Sequence, residues 1–206
     1  MRTYLDCIPC FFRQALEAAR LADADTKTQK KILDKLAKMI PGFSMRSTPP
    51  EMGMVIHRII KEMTGNRDPY RKIKAKSNRS ALSYYPRLKK KISHSSDKLR
   101  CAVEIAIAGN IIDYGVKNSL NIEEELKKIL DTEKKAVPNE SRRLFNFPSF
   151  SKSIKKAVTI LYLGDNAGEI VFDRILIEEI KKNDKRKKII FAVRDEPIIN
   201  DVLMED

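Results

Sequence analysis

The feature that most constrains the fold is a change of hydrophobic period after Ser153. Before it, apolar residues recur at helical spacing. After it, "KAVTILYLGD" is a β-branched, nearly continuous apolar run, and "KKIIFAVRD" is a second. Such runs are predicted to be parallel strands buried on both faces. Between them "EIVFDRILIEEIKKN" reads as a helix, with Ile170, Val171, Arg174, Ile177 and Glu178 spaced for one face. Strand, helix, strand predicts a βαβ unit with a right-handed crossover. The predicted fold class is therefore two-part α/β: a helical domain over 1–150, then the beginning of an α/β domain with a parallel sheet over 151–206. Two parallel strands cannot stand alone, so this domain is expected to be incomplete, truncated at its C-terminal end.

The helical part is punctuated by its own signals. Leu5, Ile8, Phe12, Leu16 and Ala19 mark a stripe over 3–21; Ile32, Leu33, Leu36 and Met39 mark a second helix over 26–39, ended by Pro41-Gly42. In "STPPEMGMVIHRIIKEMTG", Thr48 and Glu51 stand at the capping-box spacing with Pro49 at the first helical position, and Gly65 is the stop. A further helix is predicted from Asp68-Pro69, kinked or ended at Pro86. From Asp97 to about Tyr114 the sequence is hydrophobic nearly all round, which predicts a central buried helix. Leu99, Val103 and Ala106 lead along one of its faces to Asn110 and Asp113. A short helix over 121–131 and an aromatic-anchored loop, "AVPNESRRLFNFPSFS", complete this part.

The chain has 206 residues, 42% of them hydrophobic, enough for a globular core. It has no apolar run of about 18 residues for a membrane span, and its start lacks a signal peptide's apolar core, so a cytoplasmic protein is expected. The net charge of +13 is uneven: 11 of the 41 basic and 11 of the 28 acidic residues lie from Ser151 onward, so residues 1–150 hold the whole excess. Twelve basic residues fall within Arg67–Arg100, against Asp68 and Asp97. That block suits nucleic acid or anionic metabolites, or the solvated face of lysine-rich helices. No helix-turn-helix, zinc finger or stacking motif accompanies it, so nucleic acid is not expected. Cys7 and Cys10 form one C-x-x-C with no second pair, which points to packing rather than zinc or redox work.

In open α/β sheets ligands bind beyond the carboxyl ends of the strands. Asp165 and Asn166 leave the first strand there, and "RDEPIIND" after the second carries Asp201. With neighbouring strands about 4.8 Å apart, these three can converge on one ion. Oxygen donors without His or Cys favour a hard divalent cation. Gly168, opening the next helix, offers a backbone N–H to phosphate. The loop "GDNAGE" matches neither the dinucleotide nor the Walker pattern. The residues alone leave one alternative open, in which Asp165 and Asp201 simply cap helices.

The stretches "LDCIPCFFRQAL", "TPPEMG", "DPYRKIKAKSN", "AIAGNIIDYG", "GDNAGEIVFD" and "EPIINDVLMED" resemble the metal-dependent damage-control phosphatases, long known as domain of unknown function 89, and most closely their stand-alone prokaryotic branch. The resemblance implies a helical domain followed by a Rossmann-like domain. It implies a divalent metal (Mn²⁺, Mg²⁺, Co²⁺ or Ni²⁺) held by Asp165, Asn166 and Asp201, and places Asn110 and Asp113 near the site. It also implies hydrolysis of phosphate esters of small metabolites, such as sugar phosphates or phosphopantetheine-type compounds. The family's Lys-containing phosphate segment has no counterpart here, which leaves an inactive form that only binds metal as an alternative. A methyltransferase activity, proposed for a eukaryotic branch, would need a donor loop that the sequence does not offer.

Overall fold

Residues 2–110 and 145–206 are described by the computed structural model. In sequence order they form α1 Cys7–Leu21, α2 Thr26–Met39, a 3-10 turn Ile40–Gly42, α3 Pro49–Thr64, α4 Arg71–His94, α5 Lys98–Gly109, α6 Phe147–Lys156, β1 Thr159–Leu163, α7 Glu169–Asn183 and β2 Lys188–Ala192. The protein divides into two compact units, one of residues 1–72 and 194–205, the other of 73–193 with Asp206. Asp113, the predicted helix over 121–131 and most of the loop after it lie outside the described residues.

In the first unit α1, α2 and α3 pack on one another. Asp25 caps α2 by accepting from the Thr28 N–H at 2.7 Å. The predicted capping box opens α3, with the Glu51 carboxylate accepting from the Thr48 N–H; Gly65 closes it at φ +73°, a conformation that favours glycine. The buried stripe of α1 differs from the expectation. It is Phe11, Ala15, Ala18 and Ala19, while Leu5 is exposed. The alanines make the contact because short side chains let helix backbones approach; Leu5 precedes the first turn and never joins the face. Met39 is likewise exposed, but Ile32 and Leu36 are buried as expected.

In the second unit α5 lies against α7, and both pack with α4 and the sheet. β1 and β2 pair in parallel, with Leu161 opposite Ile190. The strands are not buried on both faces as predicted. Ile160, Tyr162 and Ile189 pack on the core, whereas Leu161 and Leu163 are 62% and 70% exposed. Among the described residues helices cover one face only, so the other stays open. The buried side of α7 also differs: it is Phe172, Ile175, Leu176, Glu179 and Ile180, with Val171. Arg174 is instead exposed and forms an i,i+4 ion pair with half-buried Glu178, which Tyr85 and Lys89 of α4 also bond. α4 runs through Pro86 without ending. Proline there removes one main-chain hydrogen bond, but Ala81, Leu88 and Ile92 on either side bury into the same core and keep the helix on course. Residues predicted as loop, Phe147–Ser151, begin α6, capped by Asn146, which accepts from the Ser149 N–H.

The change of period at Ser153 marks where the strands begin. The compact units divide elsewhere, after Lys72 and after Val193, because α4 and α5 give their apolar faces to α7 and the sheet.

Candidate functional site

In the second unit the parallel pairing continues one residue beyond β1: Gly164 N–H donates to the Ala192 carbonyl at 2.8 Å. The backbone then turns through Asp165, Asn166, Ala167 and Gly168 into α7. Gly168 is the N-cap residue, at φ +90°, and the N-cap position supplies no side-chain cap of its own. That removes the alternative in which Asp165 serves as the cap. Asp165 is exposed, and its carboxylate has no hydrogen bond or ion pair among the described residues. Asn166 is only 7% exposed, yet its side chain also has no hydrogen-bond partner among them. Two adjacent oxygen donors left uncommitted at a strand end fit a hard cation.

Gly168 is a different case. Its N–H donates to Asn78 Oδ1 of α4 at 2.6 Å, so the amide predicted to meet phosphate is already engaged by the protein.

Carboxylates gather at the same helix start. Glu169 and Asp173 are buried one turn apart on α7. Asp173, 4% exposed, accepts from the Tyr162 hydroxyl at 2.5 Å. Burial raises its pKa to about 6, the Tyr162 hydrogen bond opposes the rise, and nearby Asp165 adds to it. Burial and the Asp173 charge push the Tyr162 phenol up in turn. A cavity of about 640 Å³ is lined by Asn110, Tyr162, Glu169 and Asp173 together with apolar residues that include Phe147 and Phe150. Of the predicted substrate residues, Asn110 thus joins this acidic, aromatic-walled space; Asp113 is outside the described residues.

In the first unit Asp201 sits in a turn closed by its own N–H to the Ile198 carbonyl. Its carboxylate accepts from Arg194 Nε at 2.7 Å, so a cation at Asp201 must share it with a guanidinium. Ile199, at φ +47°, donates its N–H to buried His57 Nε2 at 2.9 Å, and a Cβ on Gly53 would meet Ile198 Cγ2 at 3.2 Å. α3 therefore holds this turn by a glycine and a histidine one turn apart. Burial lowers the His57 pKa to about 4, which keeps the ring neutral and Nε2 an acceptor. Among the described residues no three His, Cys, Asp or Glu side chains form a metal cluster.

Residues 3–206 match the damage-control phosphatase ARMT1-like domain. The chain belongs to that family. An uncharacterized protein of Methanocaldococcus jannaschii is 39% identical over 98% of this chain and 65% of its own length. Two damage-control phosphatases are also similar: one from Archaeoglobus fulgidus, 32% identical over 97% of this chain and 67% of its own, and one from Pyrococcus horikoshii, 31% identical over 100% and 68%. The crystal structure of a DUF89 family protein from Pyrococcus horikoshii superposes with a TM-score of 0.78 at 28% identity, covering 100% of this chain and 69% of that one. The sequence thus spans about two thirds of the length of the family members it matches, 65% in the first case.

Within this family frame the basic block finds ordinary employment. Lys74, Lys89 and Arg100 pair with Asp206, Glu178 and Glu104, and Arg71, Lys72, Lys76, Arg79, Arg87 and Lys90 are exposed along α4. No helix of the described residues is long and apolar enough to cross a membrane.

Asp173 yields a prediction. Its folded pKa lies above the ordinary 3.8, so the folded protein binds more protons than the unfolded one between about pH 4 and 6. Stability is therefore expected to fall as pH rises through that window, by up to about 3 kcal/mol. Asp173→Asn keeps an acceptor for Tyr162 and removes the buried charge. Urea unfolding in chelator at pH 4 and pH 7.5 should show the variant gaining on wild type at the higher pH. An equal difference at both pH values would refute it.

Proposed function

We propose that this protein is a divalent-metal-dependent phosphatase that hydrolyses phosphate esters of small, including damaged, metabolites in the cytoplasm. Asp165 and Asn166 are the ligands contributed after β1, and Asp201 is assigned as a third on the family resemblance. Mn²⁺, Mg²⁺, Co²⁺ and Ni²⁺ are the candidate cations. The observation that carries the reading is the uncommitted pair, Asp165 and buried Asn166, at the end of a parallel strand in a protein of this family. A cation bound there supplies polarisation of the P–O bond and a lowered pKa for an attacking water.

The protein's own groups have separable tasks. Asp165 presents charge at the surface, while Asn166 adds a neutral donor from the interior, which keeps the anionic count low enough to admit a phosphate. Asn110 and the rim of the cavity beside Tyr162 hold the organic part of the substrate. Sugar phosphates and phosphopantetheine-type esters are the substrate classes to test first.

Mn²⁺ titration by calorimetry is expected to show one site, weakened more than about 100-fold in Asp165→Ala, since even residues behind the ligands contribute 10- to 100-fold. A phosphate-ester panel assayed with each cation and with chelator should show hydrolysis only with metal. Unchanged Mn²⁺ affinity in Asp165→Ala, or hydrolysis that persists in chelator, would sink the reading.

A further inference from the structure

We propose that Asn78, on α4, is a positioning residue for the Asp165–Asn166 ligand pair, acting by capping in trans the helix those residues precede. This rests on the metal reading of Asp165 and Asn166. A helix leaves its first N–H groups without main-chain partners, and the local sequence usually supplies an acceptor at the N-cap. Here the N-cap is Gly168, which has no side chain and stands at φ +90°. The acceptor comes instead from 90 residues earlier, as Asn78 Oδ1 takes the Gly168 N–H at 2.6 Å.

The other end of the Asn78 amide fixes its orientation. Nδ2 donates to the Asp206 main-chain oxygen at 3.3 Å. Rotating the amide by half a turn would set N–H against N–H at Gly168 and oxygen against oxygen at Asp206, so a single orientation satisfies both. Asp206 is itself anchored one turn earlier on α4, where fully buried Lys74 reaches its carboxylate at 2.6 Å. Lys74 and Asn78 are i,i+4 neighbours and share a face. The peptide joining Ala167 to Gly168 is therefore fixed from the side chain of a separate helix, two residues after Asn166. Since glycine has the widest backbone freedom of any residue, releasing that N–H lets the whole Asp165–Gly168 turn sample other conformations.

The test compares Asn78→Ala and Asn78→Asp with wild type, using Mn²⁺ calorimetry and amide hydrogen exchange at Gly168. Asn78→Ala is expected to weaken Mn²⁺ binding roughly 10- to 100-fold, as loss of a group behind the ligands does, and to speed exchange at Gly168. Asn78→Asp keeps an acceptor oxygen and should restore slow exchange at Gly168, which a loss of general stability would not reproduce. Wild-type affinity in Asn78→Ala, alongside faster Gly168 exchange, overturns the proposal and leaves the metal reading standing. Wild-type protein that binds no Mn²⁺ overturns both, and Gly168 exchange unchanged in Asn78→Ala overturns the capping itself.

Discussion

Lys74→Met is expected to lower the unfolding free energy by about 3–5 kcal/mol, the usual cost of removing one member of a buried ion pair. Lys74 is fully buried and its Nζ lies 2.6 Å from Asp206 Oδ2, whose side chain is only 9% exposed. Methionine fills much of the lysine stem's volume, so the loss is electrostatic rather than a cavity. Asp206→Asn should be costly for the mirror reason, because it takes away the carboxylate that Lys74 Nζ meets at 2.6 Å in the interior. The double variant removes both charges and is expected to recover most of the loss. Exposed pairs such as Lys30–Asp34 and Lys35–Glu62 provide the contrast, since solvent screens them. Urea unfolding of the three variants decides it: single variants within about 1 kcal/mol of wild type would show that Lys74 finds enough solvent to be indifferent to its partner.

What the sequence made legible follows from which forces act locally. Capping chemistry is local, so Thr48, Glu51 and Gly65 bound α3 as read, and Thr26–Met39 is the second helix to the residue. The parallel pairing followed from two apolar runs separated by one helix. Which face of α7 turns inward is not a local property. Two stripes on that helix carry apolar residues, and only contact with α5 selects Phe172, Ile175 and Leu176 over Ile170 and Ile177. Exposure of Leu161 and Leu163 depends on what covers the sheet, which no residue within the strand encodes.

The site divides along the same line. That Asp165, Asn166 and Asn110 stand at element ends was readable because they interrupt apolar patterns. Asn78, Lys74, His57 and Asp173 were not, since each sits inside a helix and acts on a distant segment. A signal was nevertheless present. Lys74 lies at heptad spacing before Ala81 and Leu88, and Asn78 before Tyr85 and Ile92, so two polar residues occupy the inner stripe of α4. Polar groups on a core stripe need partners, and theirs are Asp206 and the Gly168 turn.

Phe172→Ala should cost about 3–5 kcal/mol and fall toward the upper end, because its neighbour cannot fill the space. Phe172 is fully buried between α7 and α5 and lies directly over Gly109. A Cβ placed on Gly109 would come 2.8 Å from Phe172 Cβ and 3.0 Å from its Cγ, too close for either to stay in place. With no side chain at 109, nothing on that part of α5 can swing into the vacated volume. The same contact predicts that Gly109→Ala destabilises despite alanine's better helix propensity, worth about 1 kcal/mol. Overpacking of this kind costs about 1–3 kcal/mol. In combination the two changes should be less damaging than their separate effects suggest. Removing the ring abolishes the Cγ contact and opens room for the helices to shift by the few tenths of an ångström that the Cβ contact demands. A double-mutant cycle is expected to return a favourable coupling of about 1 kcal/mol, as for residues in direct contact. Strict additivity would mean that α5 and α7 already relax around Gly109→Ala without Phe172 having to yield.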